Sequence, residues 1–273
     1  MQVAPILGPV GMLQLELPPA SEQLLPGVPW GRVSAFPTPA YWAYQVMSKR
    51  VQGGPPEYKL GGTLAAEVAA CLLGGHGIPA AVGLAAFGRV RDEGVLQGSP
   101  SEQQLLELLQ APLTVNGKSI HYRFARQKAR YLSEALAHLA SSEPPVSSGR
   151  ALRGWLLQIS GIGNKTASWI ARNWLRADDV AILDIHILRV GAAIGLFPDN
   201  LTVERHYFAL EELFLSFSER MGVRASELDA VIWHEMARSP LSTQVLLGNR
   251  VPSVKKRSAN QRQADPAQAS LLI

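Results

Sequence analysis

Apolar positions recur along this chain at helical spacing, and the breaks between runs carry residues that stop helices. Residues 41–50 form one such run, ended by Gln52-Gly53-Gly54-Pro55-Pro56. Thr63 is placed to cap a helix through Leu73, and Gly74-Gly75-His76-Gly77 reads as a turn. Pro79 opens another helix through about Asp92. Ser99-Pro100-Ser101-Glu102 has the form of a capping box with proline at the first helical position, heading a helix that ends before Pro112. The polar stretch 114–120 reads as a loop, and His121 to Ala140 as a long helix in which basic and aromatic residues interleave. Ser141-Ser142-Glu143-Pro144-Pro145 is a linker. Further on, Ser148 should cap a helix over roughly 150–158, and a second should start near Asn164 or Lys165. After a loop from Arg176 to Ala181, Asp184 caps a helix to about Ile194. Thr202 caps one from Val203 to about Met221, and Ser226 caps a last one through Arg238.

Strand signals are few, so the expected class is all-α. The first forty residues hold Pro18, Pro19, Pro26, Pro29, Pro37 and Pro39 and read as an irregular, packed lead-in with room for a short strand. The expected division is an irregular part with a short helix over 1–62, a helical subdomain over 63–145, a second over 146–250 and a tail over 251–273. From Ser258 the chain is polar and aromatic-free, as in disordered segments. Lys255-Lys256-Arg257 reads as part of a solvated tail.

At 273 residues with 47% hydrophobic content, a sizeable core is expected. The net charge of +4 gives a modest bias toward polyanions. One cysteine, Cys71, excludes a disulfide framework and a cysteine-rich metal cluster, and its apolar surroundings suggest packing. No apolar run approaches the roughly 18 residues of a membrane span, and no basic segment precedes the first apolar residues. A soluble, intracellular protein, cytoplasmic or associated with the nucleoid, is expected. The six histidines offer no pair with metal spacing. His234-Glu235 begins like a zincin motif, but Arg238 stands where the second ligand belongs.

The most informative stretch runs from Leu156 to Trp169, where an apolar run stops at Gly161-Ile162-Gly163 and resumes after Asn164-Lys165. Glycines permit a tight turn and close approach of another backbone. The N–H groups at the start of the following helix suit a phosphate. The same field disfavours an ammonium, so Lys165 should lose its proton readily and could attack a sugar carbon to form a Schiff base. A nucleotide-binding phosphate loop would need glycine directly before the lysine and a strand in front, and Asn164 intervenes here. An ordinary helical corner with a surface lysine is the plain alternative. Asp184, nineteen positions beyond Lys165, lies within Leu183-Asp184-Ile185-His186.

These two segments resemble the hairpin and the catalytic-aspartate segment of the helix-hairpin-helix DNA glycosylases, in the spacing of the 8-oxoguanine DNA glycosylase/AP lyase branch. The resemblance is good over about 115–240 and thin over the first hundred residues. It implies an all-helical fold with two subdomains flanking a central cleft. It makes Lys165 the nucleophile toward C1′ of a damaged nucleotide and Asp184 the carboxylate that stabilises the developing positive charge. Gly161, Gly163, Asn164 and His186 would hold DNA phosphate, and Arg126 is a further candidate contact. The iron–sulfur site of related branches is ruled out by the single cysteine.

Trp169 follows Lys165 by one helical turn, and Asp229 precedes Trp233 by one turn, so each pair shares a helix face. The resemblance puts Trp169, Asp229 and Trp233 in the pocket for a base pulled from the duplex. An ionised Asp229 only accepts, which suits the N1–H and 2-amino donors of guanine. Animal-type relatives carry an amide and a phenylalanine at these two points; the archaeal type is closer. Core packing for Trp169 and His186, and a dipole-favoured first-turn position for Asp229, stand as the other readings. The implied activity is excision of an oxidised guanine from double-stranded DNA with AP lyase action by a monomer. No catalytic metal or nucleotide cofactor is expected, although an alkali ion could bridge the hairpin carbonyls to phosphate. A non-catalytic hairpin DNA binder, or a glycosylase for another lesion such as an oxidised pyrimidine, are the alternatives.

Overall fold

In the computed structural model, residues 1–9, 11–54, 59–75 and 77–246 are described. The chain is mostly helical. Residues 1–54 and 178–246 form one unit, and residues 59–177 form the other.

The first unit begins with an antiparallel pair, β1 (Gln2–Gly8) and β2 (Gly11–Leu17), in register from Gln2 opposite Leu17 to Gly8 opposite Gly11. Ala4 and Ile6 alternate inward along β1, the period-2 pattern of a half-buried strand. A short pair, β3 (Gln23–Leu25) and β4 (Val28–Pro29), follows. Helix α1 (Pro39–Val51) is capped by the Thr38 hydroxyl, which accepts from the Tyr41 N–H at 3.2 Å. The lead-in expected to be irregular with a short strand is therefore built around two strand pairs. Pro29 lies within β4 and Pro39 opens α1.

Helices α8 (Ile185–Ala193), α9 (Val203–Arg220) and α10 (Ala225–Arg238) complete this unit, with α11 (Pro240–Leu246) beyond them. Trp42, Ala43 and Val46 of α1 share a core with Ile187, Phe214, Phe217, Val231 and Ile232. Arg50 on α1 donates to Glu227 on α10 at 2.9 Å through Nε. Segment 178–246 groups with the N-terminal strands and α1, and 146–177 groups with 63–145. Proline and glycine mark where the chain bends, not which apolar faces meet.

The second unit contains α2 (Leu64–Leu73), α3 (Ala80–Asp92), α4 (Glu102–Gln110), β5 (Leu113–Val115), β6 (Lys118–Ile120), α5 (Ala125–Ser141), α6 (Gly149–Leu156) and α7 (Asn164–Leu175). Leu72, Leu73, Leu105, Leu109, Leu132, Leu152, Leu156 and Ile170 are fully buried. Thr63 caps α2 by accepting from the Ala66 N–H at 3.1 Å, and Ser148 caps α6 by accepting from the Ala151 N–H at 3.0 Å, both as expected. The capping box at α4 falls two residues later than expected. Ser101 is the cap, and it exchanges hydrogen bonds with Gln104. The stretch expected as a loop is a hairpin, with Asn116 and Gly117 both at positive φ between β5 and β6, as a tight hairpin turn requires. Helix α5 starts at Ala125, not His121. Tyr122 is buried ahead of it and donates its hydroxyl to the Leu73 carbonyl at 2.6 Å.

Cys71 packs within α2, where burial, then the Glu67 charge, pushes its thiol well above the ordinary value. It is a packing residue, not a thiolate. Among the described residues, no helix is long and apolar enough to cross a membrane. The expected tail over 251–273, including Lys255-Lys256-Arg257, and the turn residue His76 lie outside the described residues.

Helix α10 starts at Ala225 with Arg224 at its cap, so Ser226 is not the cap. Instead the Ser226 N–H donates to Asp178 Oδ1 at 3.1 Å, while Arg224 Nε donates to Asp178 Oδ2 at 2.6 Å. Burial alone would raise the Asp178 carboxyl, but the Ser226 and Arg224 donors outweigh it and hold it below its ordinary 3.8. A depressed carboxylate stabilises the fold above its unfolded pKa and loses that contribution as pH falls through the folded value. Asp178→Asn is expected to unfold at a lower temperature than wild type at pH 7, with the gap narrowing below about pH 4. Thermal unfolding followed by circular dichroism at both pH values checks this.

Candidate functional site

The hairpin joins α6 to α7 in the second unit. Ile159 and Ile162 turn inward and are buried, and the Ile162 N–H reaches the Ile159 carbonyl at 3.2 Å. Gly161 between them has φ +83°, and a Cβ there would run into the Tyr131 ring of α5. Only glycine fits on both counts. Gly163 differs: its φ of −96° and ψ of 175° are open to any residue, and a Cβ would meet nothing within 4 Å. The expected turn role therefore belongs to Gly161 alone. Gly163 is the N-cap of α7 and supplies no side-chain acceptor to the helix start. Asn164 is the first helical residue and Lys165 the second, both half-buried. The arrangement places an uncapped helix start, an unobstructed glycine and a lysine amine on one short segment.

Trp169, one turn along α7, is 7% exposed. On α2, which packs against α7, Glu67 is a buried acid that the sequence reading passed over. Burial raises its carboxyl, while the Gly61 and Leu60 N–H groups, the Trp169 indole and the Lys59 charge pull the other way. The only sequence signal for it is a single acid within Leu64-Ala65-Ala66-Glu67-Val68.

Asp184 lies in the first unit, 5% exposed. Its Oδ1 accepts from the His186 and Ile187 N–H groups at 2.8 and 2.9 Å, so it caps α8 as expected. The segment leading to it is clamped by buried groups on α9. Glu211 accepts from the Ala181 N–H at 2.8 Å. The Tyr207 hydroxyl donates to the Ala181 carbonyl at 2.8 Å and accepts from the Leu183 N–H at 3.4 Å. The carboxylate is thus oriented by its own cap and by a fixed lead-in. His186 is half-buried on the first turn of α8.

Asp229 is 3% exposed and Trp233 half-buried, one turn apart on α10, which packs against α8. Because α10 begins at Ala225, the first-turn acid is Glu227, and Asp229 lies beyond that turn. A favourable helix-dipole position therefore does not account for this buried acid. The candidates divide between the units. Gly161, Gly163, Asn164, Lys165 and Trp169 belong to one; Asp184, His186, Asp229 and Trp233 belong to the other. Among the described residues, no group of three or more His, Cys, Asp or Glu is placed to hold a metal ion.

A family model described as 8-oxoguanine DNA glycosylase matches residues 61–223. That match covers more than half of the chain and takes in both the hairpin and the Asp184 cap. The chain belongs to this family. Among similar family members, the 8-oxoguanine DNA glycosylase/AP lyase of Methanocaldococcus jannaschii is 33% identical over 123 residues, covering 43% of this chain and 58% of the relative. That of Metallosphaera sedula is 32% identical over 124 residues, covering 43% of this chain and 59% of the relative. The chain therefore spans less than two thirds of these relatives. The solved 8-oxoguanine DNA glycosylase of Thermotoga maritima overlays with a TM-score of 0.47 at 26% identity, covering 65% of this chain and 84% of the other. The Methanocaldococcus jannaschii structure gives 0.44 at 25% identity, covering 72% and 86%. The family match stops before Asp229 and Trp233, so the α10 pair rests on its own geometry.

The two glycines should differ in what the fold requires of them. Gly161→Ala is expected to destabilise by about 2 kcal/mol or more, through left-handed strain and the Tyr131 collision. Gly163→Ala should leave the unfolding midpoint within about 0.5 kcal/mol of wild type. Denaturant unfolding of both variants checks this.

Proposed function

We propose that this chain is a bifunctional DNA glycosylase that excises an oxidised guanine from double-stranded DNA and then nicks the strand as an AP lyase. The observation that carries this reading is Lys165 in the first turn of α7, behind the Gly161 turn, within the segment matched to the 8-oxoguanine DNA glycosylase family. In this reading, backbone N–H groups from Gly163 onward, with His186, grip phosphate and set register without reading sequence. The damaged nucleotide leaves the stack. Trp233 and Trp169 bound its faces, and Asp229 accepts from the guanine edge.

Lys165 Nζ attacks C1′ while the bond from C1′ to the base breaks. The departing base takes up a proton, and Asp184 offsets the positive charge that builds on the sugar. The amine loses its proton, the sugar ring opens, and a Schiff base joins Nζ to C1′. Loss of a proton from C2′ then expels the 3′ phosphate by β-elimination. An alkali ion, if bound, would be held by backbone carbonyls of the hairpin around Gly161 and Gly163 and would supply positive charge for a phosphate; action by a monomer is part of the same proposal.

Asp184→Asn separates charge from structure, because asparagine also caps helices well. Base release should fall by about a hundredfold or more, with the unfolding midpoint little changed. Borohydride should trap a covalent adduct between the wild-type chain and a duplex carrying one 8-oxoguanine, and Lys165→Gln should abolish it. A wild-type chain that never traps, or a Lys165→Gln variant that traps as well as wild type, overturns the proposal. DNA binding without either activity would favour a non-catalytic hairpin protein.

A further inference from the structure

Arg126 and Arg130 stand one turn apart on α5, on a shared face, and Arg123 lies just before that helix. All three are exposed. With Glu102, Phe124 and Gln127 they line an open groove of about 440 Å³. The Arg123 guanidinium lies 5.1 Å from the centre of the Phe124 ring, and that of Arg130 lies 5.2 Å from the centre of the Tyr131 ring, both within cation–π reach. Glu102 is the single acid of the lining, and the first turn of α5 holds none. Among the described residues, the one ion pair at these arginines joins Arg130 to Glu134 at 3.8 Å, with both side chains about half exposed. Such a pair offsets little. Like charges one turn apart repel, and an ordinary solvated face interleaves acids to avoid that cost. This face concentrates positive charge and leaves it uncompensated.

The groove adjoins the hairpin. Gln127 Nε2 donates to the Tyr131 hydroxyl at 3.0 Å, and the Tyr131 ring is the surface on which Gly161 closes. Groove and hairpin therefore meet within one unit, through a single side chain. We infer that Arg123, Arg126 and Arg130 form a second contact to duplex DNA, holding the phosphate backbone that continues from the segment gripped at the hairpin. This inference rests on the reading of the hairpin as a phosphate grip. The partner follows from the side chains. A guanidinium presents paired N–H donors that match phosphate oxygens, and a neighbouring ring holds its plane while leaving that edge free. Three such groups along an open groove suit an extended polyanion better than one small ion. Contacts of this kind set position and carry no base sequence.

The test is the salt dependence of binding. Each phosphate neutralised adds roughly 0.9 to the slope of log binding constant against log salt concentration. The slope is measured with the full chain on a long, lesion-free duplex. The variants are Arg126→Ala, the triple Arg123→Ala/Arg126→Ala/Arg130→Ala, and Lys118→Ala, an exposed cation on β6 outside the groove. Arg126→Ala is expected to lower the slope by about one, and the triple variant by about two to three with at least roughly tenfold weaker binding at fixed salt. Lys118→Ala should bind as wild type does. On a duplex trimmed to the few base pairs that the hairpin spans, the triple variant and wild type should bind alike. A triple variant that keeps the wild-type slope overturns the inference, even if an acidic polypeptide then binds the groove. So does a loss that Lys118→Ala reproduces, or one that persists undiminished on the trimmed duplex. Where the triple variant does not fold, Arg126→Ala decides. The enzymatic reading is judged apart, by wild-type trapping on the 8-oxoguanine duplex. A chain that never traps but loses slope with these arginines keeps the groove and loses the enzyme; one that traps while the triple variant keeps the slope does the reverse.

Discussion

The hairpin depends on one close approach, that of the Gly161 backbone to the Tyr131 ring. With φ at +83° and an aromatic face where a side chain would be, the turn has one way to run. Tyr131 is itself held, because Gln127 Nε2 donates to its hydroxyl at 3.0 Å along α5. Ile159 and Ile162 pin the two sides of the turn into the core. The start of α7 follows from this, and with it the position of Lys165. As the proposed nucleophile, Lys165 has only as much precision as the turn before it.

Asp184 is prepared by a different device to the same end. Its carboxylate is a helix cap, so the bonds that orient it also begin α8. Glu211 and Tyr207 fix the preceding residues from α9. In the proposed role of Asp184, preorganised charge stabilises a developing cation without reorganisation during the reaction, and a capping carboxylate is already immobile. Asp229 and Glu67 extend the theme. Asp229 is a buried acid beyond the first turn of its helix, and such groups gather where a fold serves chemistry; Glu67 lies in the first turn of α2 and accepts from the Leu60 and Gly61 N–H groups.

Local signals were legible in the sequence. Thr63, Ser148 and Asp184 cap the helices expected of them, because a cap is a contact across three residues. The Ser99–Glu102 pattern had the right chemistry in the wrong register, since Ser101 with Gln104 offers an equivalent box two residues on. The Asn116-Gly117 hairpin was missed because the polarity of 114–120 outweighed a specific turn signal. Ser226 looked like a cap, but Asp178, far away in sequence, takes its N–H. Nonlocal facts were invisible. The strand pairs of the lead-in, the union of α1 with α9 and α10, and the difference between Gly161 and Gly163 all depend on what packs alongside. Glu67 was passed over because its partners, the Leu60 and Gly61 N–H groups, lie outside its own helix.

The central claim is chemical identity at one atom, the Lys165 Nζ. Reducing the covalent complex with 8-oxoguanine duplex, digesting both components and mapping the sugar remnant by mass spectrometry tests it most directly. The account predicts the remnant on the peptide carrying Lys165. Its appearance instead on the terminal amine, or on Lys128, whose amine burial pushes below its ordinary value, would contradict the account.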